Sequence, residues 1–449
     1  MNVLIPLLYI LVIVIIYPVG VFMKGNFVSP EKDCHFSIRD IVDESSKNRQ
    51  VALQSFSTST PKHRSEFEGG KHRHISLEEL IEKMSGRSIP ADSIMQVQEI
   101  TKAPSKKEKI PPRERGMSLY LYDTCETHHI ISKSFSETPN TSTFDITVVT
   151  VGSFNRLFIL PIFASRWDGP IVFVIHLLEE QQSNLDEFLR DSSHSILCNP
   201  RIRILTYVAE KGAFFYDNYP INILRNIGIR NVRTSHFIVL DMDMWMSQGS
   251  YQTLLTLPEE IKQSTRTAVI IPAFFHTGWT ITNGTLQEQV ASVLNRIPFS
   301  MSDLLECVKI SKCSPMKKGL FTHLYVPQKW IDDKRRGNYL DYYDYACWKN
   351  DLQEPYLLVA RNDSIALFNE AFINYGFNKI SYVETLRREE YRFILAGKVF
   401  AFDLPHLPSR FQKSHVTNTQ SGNYMTNYYY MQRLVKRTKN NTHILKVCK

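Results

Sequence analysis

The chain has 449 residues, 43% hydrophobic and 12% aromatic, with 53 Lys and Arg against 45 Asp and Glu for a formal net charge of +8. That balance excludes a wholly disordered chain and disfavours a dedicated nucleic-acid binder. The excess is also local. From 404 to 449 there are eight basic residues and no acidic one, leaving 45 charges of each sign elsewhere, so it points to a local anion contact or a solvated tail.

Residues 1–23, MNVLIPLLYILVIVIIYPVGVFM, hold no Asp, Glu, Lys, Arg or His, and a run of that length spans a bilayer as a helix. A cleaved signal peptide competes with this reading, but no basic segment precedes the run and no Ala-x-Ala-like site follows it, which favours a single-pass signal anchor. Lys24 alone would weakly place the following side in the cytoplasm. Residues 24–140 mix charge with Ser, Thr and Pro in the composition of a stem that buries no core. Within it, SLEELIEKM combines capping-box spacing (Ser76, Glu79) with an apolar stripe (Leu77, Leu80, Ile81, Met84), which predicts a short helix suited to self-association. Cys34 is either a plain free thiol or a cross-link between chains, so a homo- or hetero-oligomer is compatible with this region. Seven cysteines without a CxxC pair suggest disulfides rather than zinc, with one thiol left over. Sequons at Asn140, Asn283, Asn362 and Asn440 suit a secretory lumen.

From 141 to 408 the texture becomes that of an α/β domain with a largely parallel sheet: apolar runs at 146–151, 170–178, 201–208, 236–241 and 267–273 predict strands, and 183–190 and 221–232 have helical crossover length. No GxGxxG or GxxxxGK[ST] loop occurs, which disfavours dinucleotide dehydrogenases and P-loop enzymes. Residues 409–449 are basic and include the helix-compatible YYYMQRLVKR.

The segment SHFIVLDMDMW ends a buried-looking strand in Asp241-Met242-Asp243. Ligands in open α/β sheets bind beyond the carboxyl ends of strands, and i, i+2 spacing in extended chain turns both carboxylates to one side. Hard oxygen ligands suit Mn2+ or Mg2+ shared with a diphosphate leaving group. Just upstream, YPINILRNIGIRN (219–231) supplies Tyr219, Arg225 and Asn226 as nucleotide-side candidates.

The blocks YPINILRN, FIVLDMDM, AVIIPAF, EPYLLVARND, FINYGFNKISYVETL and FDLPHLPS, taken in order, resemble the LARGE-type and beta-1,4-glucuronyltransferase family of inverting glycosyltransferases (glycosyltransferase family 49) over about Phe144 to His415. The likeness is to the second, glucuronyl-transferring domain of the two-domain LARGE proteins. It implies a GT-A fold, a type II Golgi membrane protein with its catalytic domain in the lumen, and Mn2+-dependent transfer of glucuronate, or a related sugar such as xylose, from a UDP-sugar donor to a glycan or glycoprotein acceptor. By the family's pattern Asp243 binds the metal and Asp241 reaches the ribose or the metal. A family histidine ligand is displaced here: Asp403 stands where relatives carry it and His406 follows three residues later, and either completes the set. Asn378 and Lys379 fall near the donor diphosphate or acceptor. An inverting transfer needs a general base, for which Glu354 is the first candidate and Asp351 the second. Trp330, Trp348, Tyr342 and Tyr343 suggest a platform for sugar rings. The altered Asp403 position leaves one alternative, a catalytically silent, membrane-anchored glycan-binding relative.

Overall fold

The computed structural model describes residues 112–123, 126–130, 143–191, 196–278, 284–315, 321–350, 352–362, 364–374, 376–405 and 445–448. The chain divides into two units, Met1–His74 and Ile75–Lys449, and every described residue belongs to the second. The apolar run 1–23, the helix expected at 76–84, Asp351, His406 and residues 409–444 lie outside the described residues. Among the described residues, no helix is long and apolar enough to cross a membrane.

The described strands, in chain order, are β1 (Met117–Asp123), β2 (Glu126–Ile130), β3 (Ile146–Ser153), β4 (Ile171–Leu178), β5 (Ile202–Ala209), β6 (His236–Asp241), β7 (Met244–Met246), β8 (Thr267–Ile271), β9 (Ala273–His276), β10 (Cys313–Ser314), β11 (Tyr342–Asp344), β12 (Tyr356–Ala360), β13 (Arg392–Ala396) and β14 (Ala401–Asp403). Ten form one sheet in the order β11-β13-β8-β12-β6-β3-β4-β5-β1-β2, and β10-β9-β14-β7 form a second. The helices that matter below are α1 (Ile159–Ser165), α2 (Gln182–Arg190), α3 (Ile221–Arg230), α4 (Met301–Lys309), α5 (Gln328–Arg335) and α6 (Asn378–Arg388).

The centre of the large sheet is parallel: β3 pairs with β4 and β6, and β4 with β5. Every residue of β5, and all but the last of β3 and β4, is buried, the signature of strands covered on both faces. Helix α3 lies close against them; Gly228 permits this, because a Cβ there would collide with Val149. The wings depart from the parallel expectation, since β1 runs antiparallel to β5 and β12 antiparallel to both β6 and β8.

The stem boundary at residue 140 is also set too late. β1 and β2 belong to the sheet, because Leu119 and Tyr122 are buried in the core while charged neighbours such as Arg113 and Arg115 disguise the segment as linker. Two disulfides, Cys307–Cys313 and Cys347–Cys448, agree with the expectation of bonded cysteines. The second ties the chain end to the domain, where Trp348 bridges Val447.

Candidate active site

The strand order reverses between β3 and β6: β4 and β5 extend from one side of β3, and β6 returns to the other. Side chains leaving the carboxyl ends of strands at such a reversal line a crevice. Val151 of β3 is paired with Asp241 of β6, so Asp241 and Asp243 stand at this point.

Asp241 is gripped from three directions. Arg225 of α3 donates to its Oδ1 at 3.0 Å, while Lys379 at 2.7 Å and the Tyr356 hydroxyl at 2.8 Å both donate to Oδ2. Burial alone would raise its pKa, but the Lys379 ammonium and the Arg225 guanidinium outweigh it and hold the carboxyl well below its ordinary range. Lys379 mirrors this: desolvation would lower it, yet Asp241 and Glu354 carry its pKa above the usual lysine value. Tyr356 is kept a neutral donor, chiefly by burial and then by Asp241 and Asp243. Asp243 receives Arg156, from the turn after β3, at 2.9 Å.

Local structure explains the aim of these groups. Arg225 is 2% exposed; Asn222 (3.2 Å) and Asn378 (3.0 Å) accept from its Nη1, and its guanidinium lies over the Phe368 ring at 5.0 Å. Asn378 and Lys379 open α6 immediately after Phe377, whose φ of 55° is left-handed, as is that of Asn374 at 57°. Such conformations persist where the surroundings over-determine them, and here they turn the chain so that Asn378 and Lys379 face the crevice.

Glu354 belongs to the same cluster. Its Oε1 accepts from Thr322 Oγ1 at 2.6 Å and its Oε2 lies 4.0 Å from Lys379. Thr322 in turn shares a 2.8 Å hydrogen bond with Nδ1 of the buried His323. Backbone and amide bonds strap the two segments together, with the Glu354 N–H donating to Thr322 O and the Leu324 N–H to Gln353 Oε1. One carboxylate oxygen is thus fixed and the other faces the crevice. β14 brings Asp403 alongside: Asp403 pairs with Met244 of β7, and the Leu404 N–H donates to Asp243 O at 2.7 Å.

The structure therefore gathers Arg225, Asp241, Asp243, Glu354, Asn378, Lys379 and Asp403 in one region. Tyr219 is half-buried beside them, its ring edge-on to His176 at 5.6 Å and its phenol pushed up by burial. Asn226 faces elsewhere. It is 1% exposed, donates to Phe368 O and Glu370, and accepts from the Phe368 N–H; it anchors the 368–370 loop instead of meeting a nucleotide. The sugar platform is corrected as well. Trp330 and Trp348 are completely buried, packed on Phe274 and on Tyr345 and Phe393, and Tyr343 is engaged by Asp333 and Lys334.

Sequence reasoning missed Arg156, Thr322 and Tyr356. Tyr356 had a readable signal, since it stands two residues after Glu354 at the head of a strand and shares its face. Arg156 and Thr322 carry none, being single residues in turns.

Among the described residues, no three His, Cys, Asp or Glu side chains form a ready-made metal cage. The donor set nonetheless suits a hard cation of the Mg2+ or Mn2+ type, which commonly binds through one or two carboxylates and takes its other ligands from substrate phosphates and water. Asp243, in the turn between β6 and β7, and Asp403, at the end of β14 and linked to it by the Leu404 N–H to Asp243 O bond, provide such a pair.

Residues 208–432, just over half the chain, match the family model described as glycosyl-transferase for dystroglycan. The xylosyl- and glucuronyltransferase LARGE2s of Danio rerio is 26% identical over 282 residues, covering 63% of this chain and 34% of that protein. LARGE1 of Homo sapiens, another xylosyl- and glucuronyltransferase, is 25% identical over 287 residues, covering 64% and 34%. The chain thus spans about a third of the length of these curated relatives. Among solved structures, GalNAc-T7 with UDP, GalNAc and Mn2+ aligns with a TM-score of 0.36 and 12% identity, covering 70% of this chain and 49% of that one, an overlay too loose to add to the fold described above. By its sequence, the chain belongs to the LARGE-type family of glycosyltransferases, the family described as glycosyl-transferase for dystroglycan.

Proposed function

We propose that this protein is a Mn2+-dependent inverting glycosyltransferase of GT-A architecture that moves glucuronate, or a related sugar such as xylose, from a UDP-sugar to a glycan acceptor. The observation that carries this is the pairing of Asp241 and Asp243 at the reversal point of the sheet with three cations, Arg156, Arg225 and Lys379. Asp241 and Asp243 offset two of these three positive charges, and Glu354, 4.0 Å from Lys379, adds a further negative one. A diphosphate entering the crevice offers the cations another anion, and Asp243 and Asp403 would then hold the divalent cation, which supplies charge neutralisation for the departing UDP. Asp241, fixed by Tyr356 and Lys379, is suited to orient the donor.

In the transfer step the acceptor hydroxyl gives its proton to Oε2 of Glu354 as its oxygen bonds to the anomeric carbon. The bond from that carbon to the phosphate oxygen breaks, and its electron pair leaves with UDP. Thr322 keeps Glu354 from rotating, and Lys379 faces the developing phosphate charge. The setting we propose is the Golgi membrane, single-pass type II, with the anchor at 1–23, a stem, and the catalytic domain in the lumen. The sequons and the disulfides support a lumenal location.

The test is Asp243→Ala. The variant is expected to fold and to lose Mn2+-dependent transfer from the UDP-sugar; retained activity would sink the metal assignment.

A further inference from the structure

Arg166 follows α1, on the flank of the domain rather than in the crevice. α1 has seven residues, so it carries the chain about 10 Å from its start beside the Arg156 turn. The Arg166 guanidinium is sandwiched between two aromatic rings, 4.4 Å from the Phe299 centroid and 5.1 Å from that of Trp245. Trp245 is 1% exposed and forms the back wall; Phe299 is 36% exposed, so part of its side chain reaches the surface. Trp245 of β7 lies two residues beyond Asp243, and its strand partner Phe402 precedes Asp403, so this flank adjoins the segments that hold the candidate metal ligands.

Elsewhere the buried or half-buried cations are matched. Arg156 meets Asp243, Arg225 meets Asp241, Arg230 meets Glu370, and Arg387 and Arg388 meet Glu384. Arg201 spends its guanidinium on three backbone carbonyls. No described residue makes a hydrogen bond or ion pair with the Arg166 guanidinium; desolvation alone pushes its pKa down to about 10, with no carboxylate to offset it. A planar fork held between rings, with its donor edge unused, matches the geometry of a bidentate oxyanion. The exposed part of Phe299 beside it is an apolar surface suited to the C–H face of a pyranose ring.

We propose that Arg166, Phe299 and Trp245 form a subsite for a carboxylated sugar, holding one uronate unit of an acidic glycan away from the transfer crevice. The glycan as its natural occupant rests on the transferase reading above; the binding chemistry does not. The fork bonds the carboxylate, Phe299 carries the ring face, and Trp245 fixes the fork's plane.

The test uses the full chain carrying Asp243→Ala, so that transfer cannot interfere, titrated calorimetrically with a hyaluronan tetrasaccharide and with its carboxyl-reduced counterpart. The native tetrasaccharide is expected to bind at least about tenfold more tightly than the reduced one. Arg166→Gln should abolish that preference, Arg166→Lys should retain part of it because it keeps charge without the fork, and Phe299→Ala should weaken both ligands. Thermal unfolding of each variant establishes that it folds. Equal affinity for the two oligosaccharides, or an Arg166→Gln variant that keeps the preference, overturns the proposal. Uronate binding of this kind in a wild-type protein that turns over no UDP-sugar would leave the subsite standing and remove the transferase reading.

Discussion

Replacing Asp241 by Asn keeps the shape of the side chain and deletes its charge, leaving Arg225 and Lys379 facing each other. Lys379 Nζ lies 2.7 Å from Oδ2, and the two side chains retain 18% and 29% exposure. At that distance and an effective dielectric constant near 20, the gross attraction is about 6 kcal/mol. Desolvation opposes it, so the coupling measured in a double-mutant cycle of Asp241→Asn and Lys379→Met is expected at about 2–4 kcal/mol. The single Asp241→Asn variant should lose about 3–5 kcal/mol, because it strands the buried Arg225 and the half-buried Lys379. The assay is urea unfolding of the four proteins, followed by intrinsic fluorescence. Because the folded pKa of Asp241 is depressed, its contribution is fully present above the unfolded carboxylate value and is lost only as pH falls through the folded one. The coupling should therefore be the same at pH 6 and pH 8. A value under about 1 kcal/mol, as found for exposed pairs, would refute the reasoning that this cluster is a desolvated electrostatic unit.

Other consequences follow from single side chains. Glu354→Gln should lower kcat at least about a hundredfold with little change in KM, Thr322→Val should lower it less, and Thr322→Ser should restore it; an active Glu354→Gln enzyme would remove the base. His236 is buried and its pKa is lowered to about 4, so below the ordinary histidine value the unfolded chain binds the extra proton and stability falls as pH falls. From pH 7.5 to 5.0 this amounts to about 2 kcal/mol, and denaturation of His236→Gln should lack that increment. The Cys347–Cys448 disulfide spans 101 residues, so Cys448→Ser should cost about 2–4 kcal/mol, read as the shift in unfolding between oxidised wild type and variant; an unchanged midpoint would show that the chain end is not held by it.

The parallel centre was legible because β3 to β6 are short, mostly apolar segments separated by stretches of helical crossover length, the pattern expected of strands covered on both faces. The antiparallel wings were not, since β1 alternates Leu and Tyr among charges and β12 follows a proline. In the site, Asp241 and Asp243 could be read from their place at a strand end, and Lys379 and Glu354 from family blocks. Their mutual contact could not: Asp241, Glu354 and Lys379 meet only because β12 inserts beside β6 and α6 returns after a left-handed turn at Phe377. Asn226 misled because its neighbour Arg225 points into the crevice, while one further residue along the helix turns its amide to the 368–370 loop.

The most direct measurement is UDP release by the fragment from about residue 112 onward, with Mn2+, across a panel of UDP-sugars that includes UDP-glucuronate and UDP-xylose, with and without glycan acceptors. Acceptor-stimulated release from one of these two donors is expected, abolished by a chelator and by Asp243→Ala. Donor binding without turnover for every sugar would contradict it and would identify a catalytically silent glycan-binding member of the family.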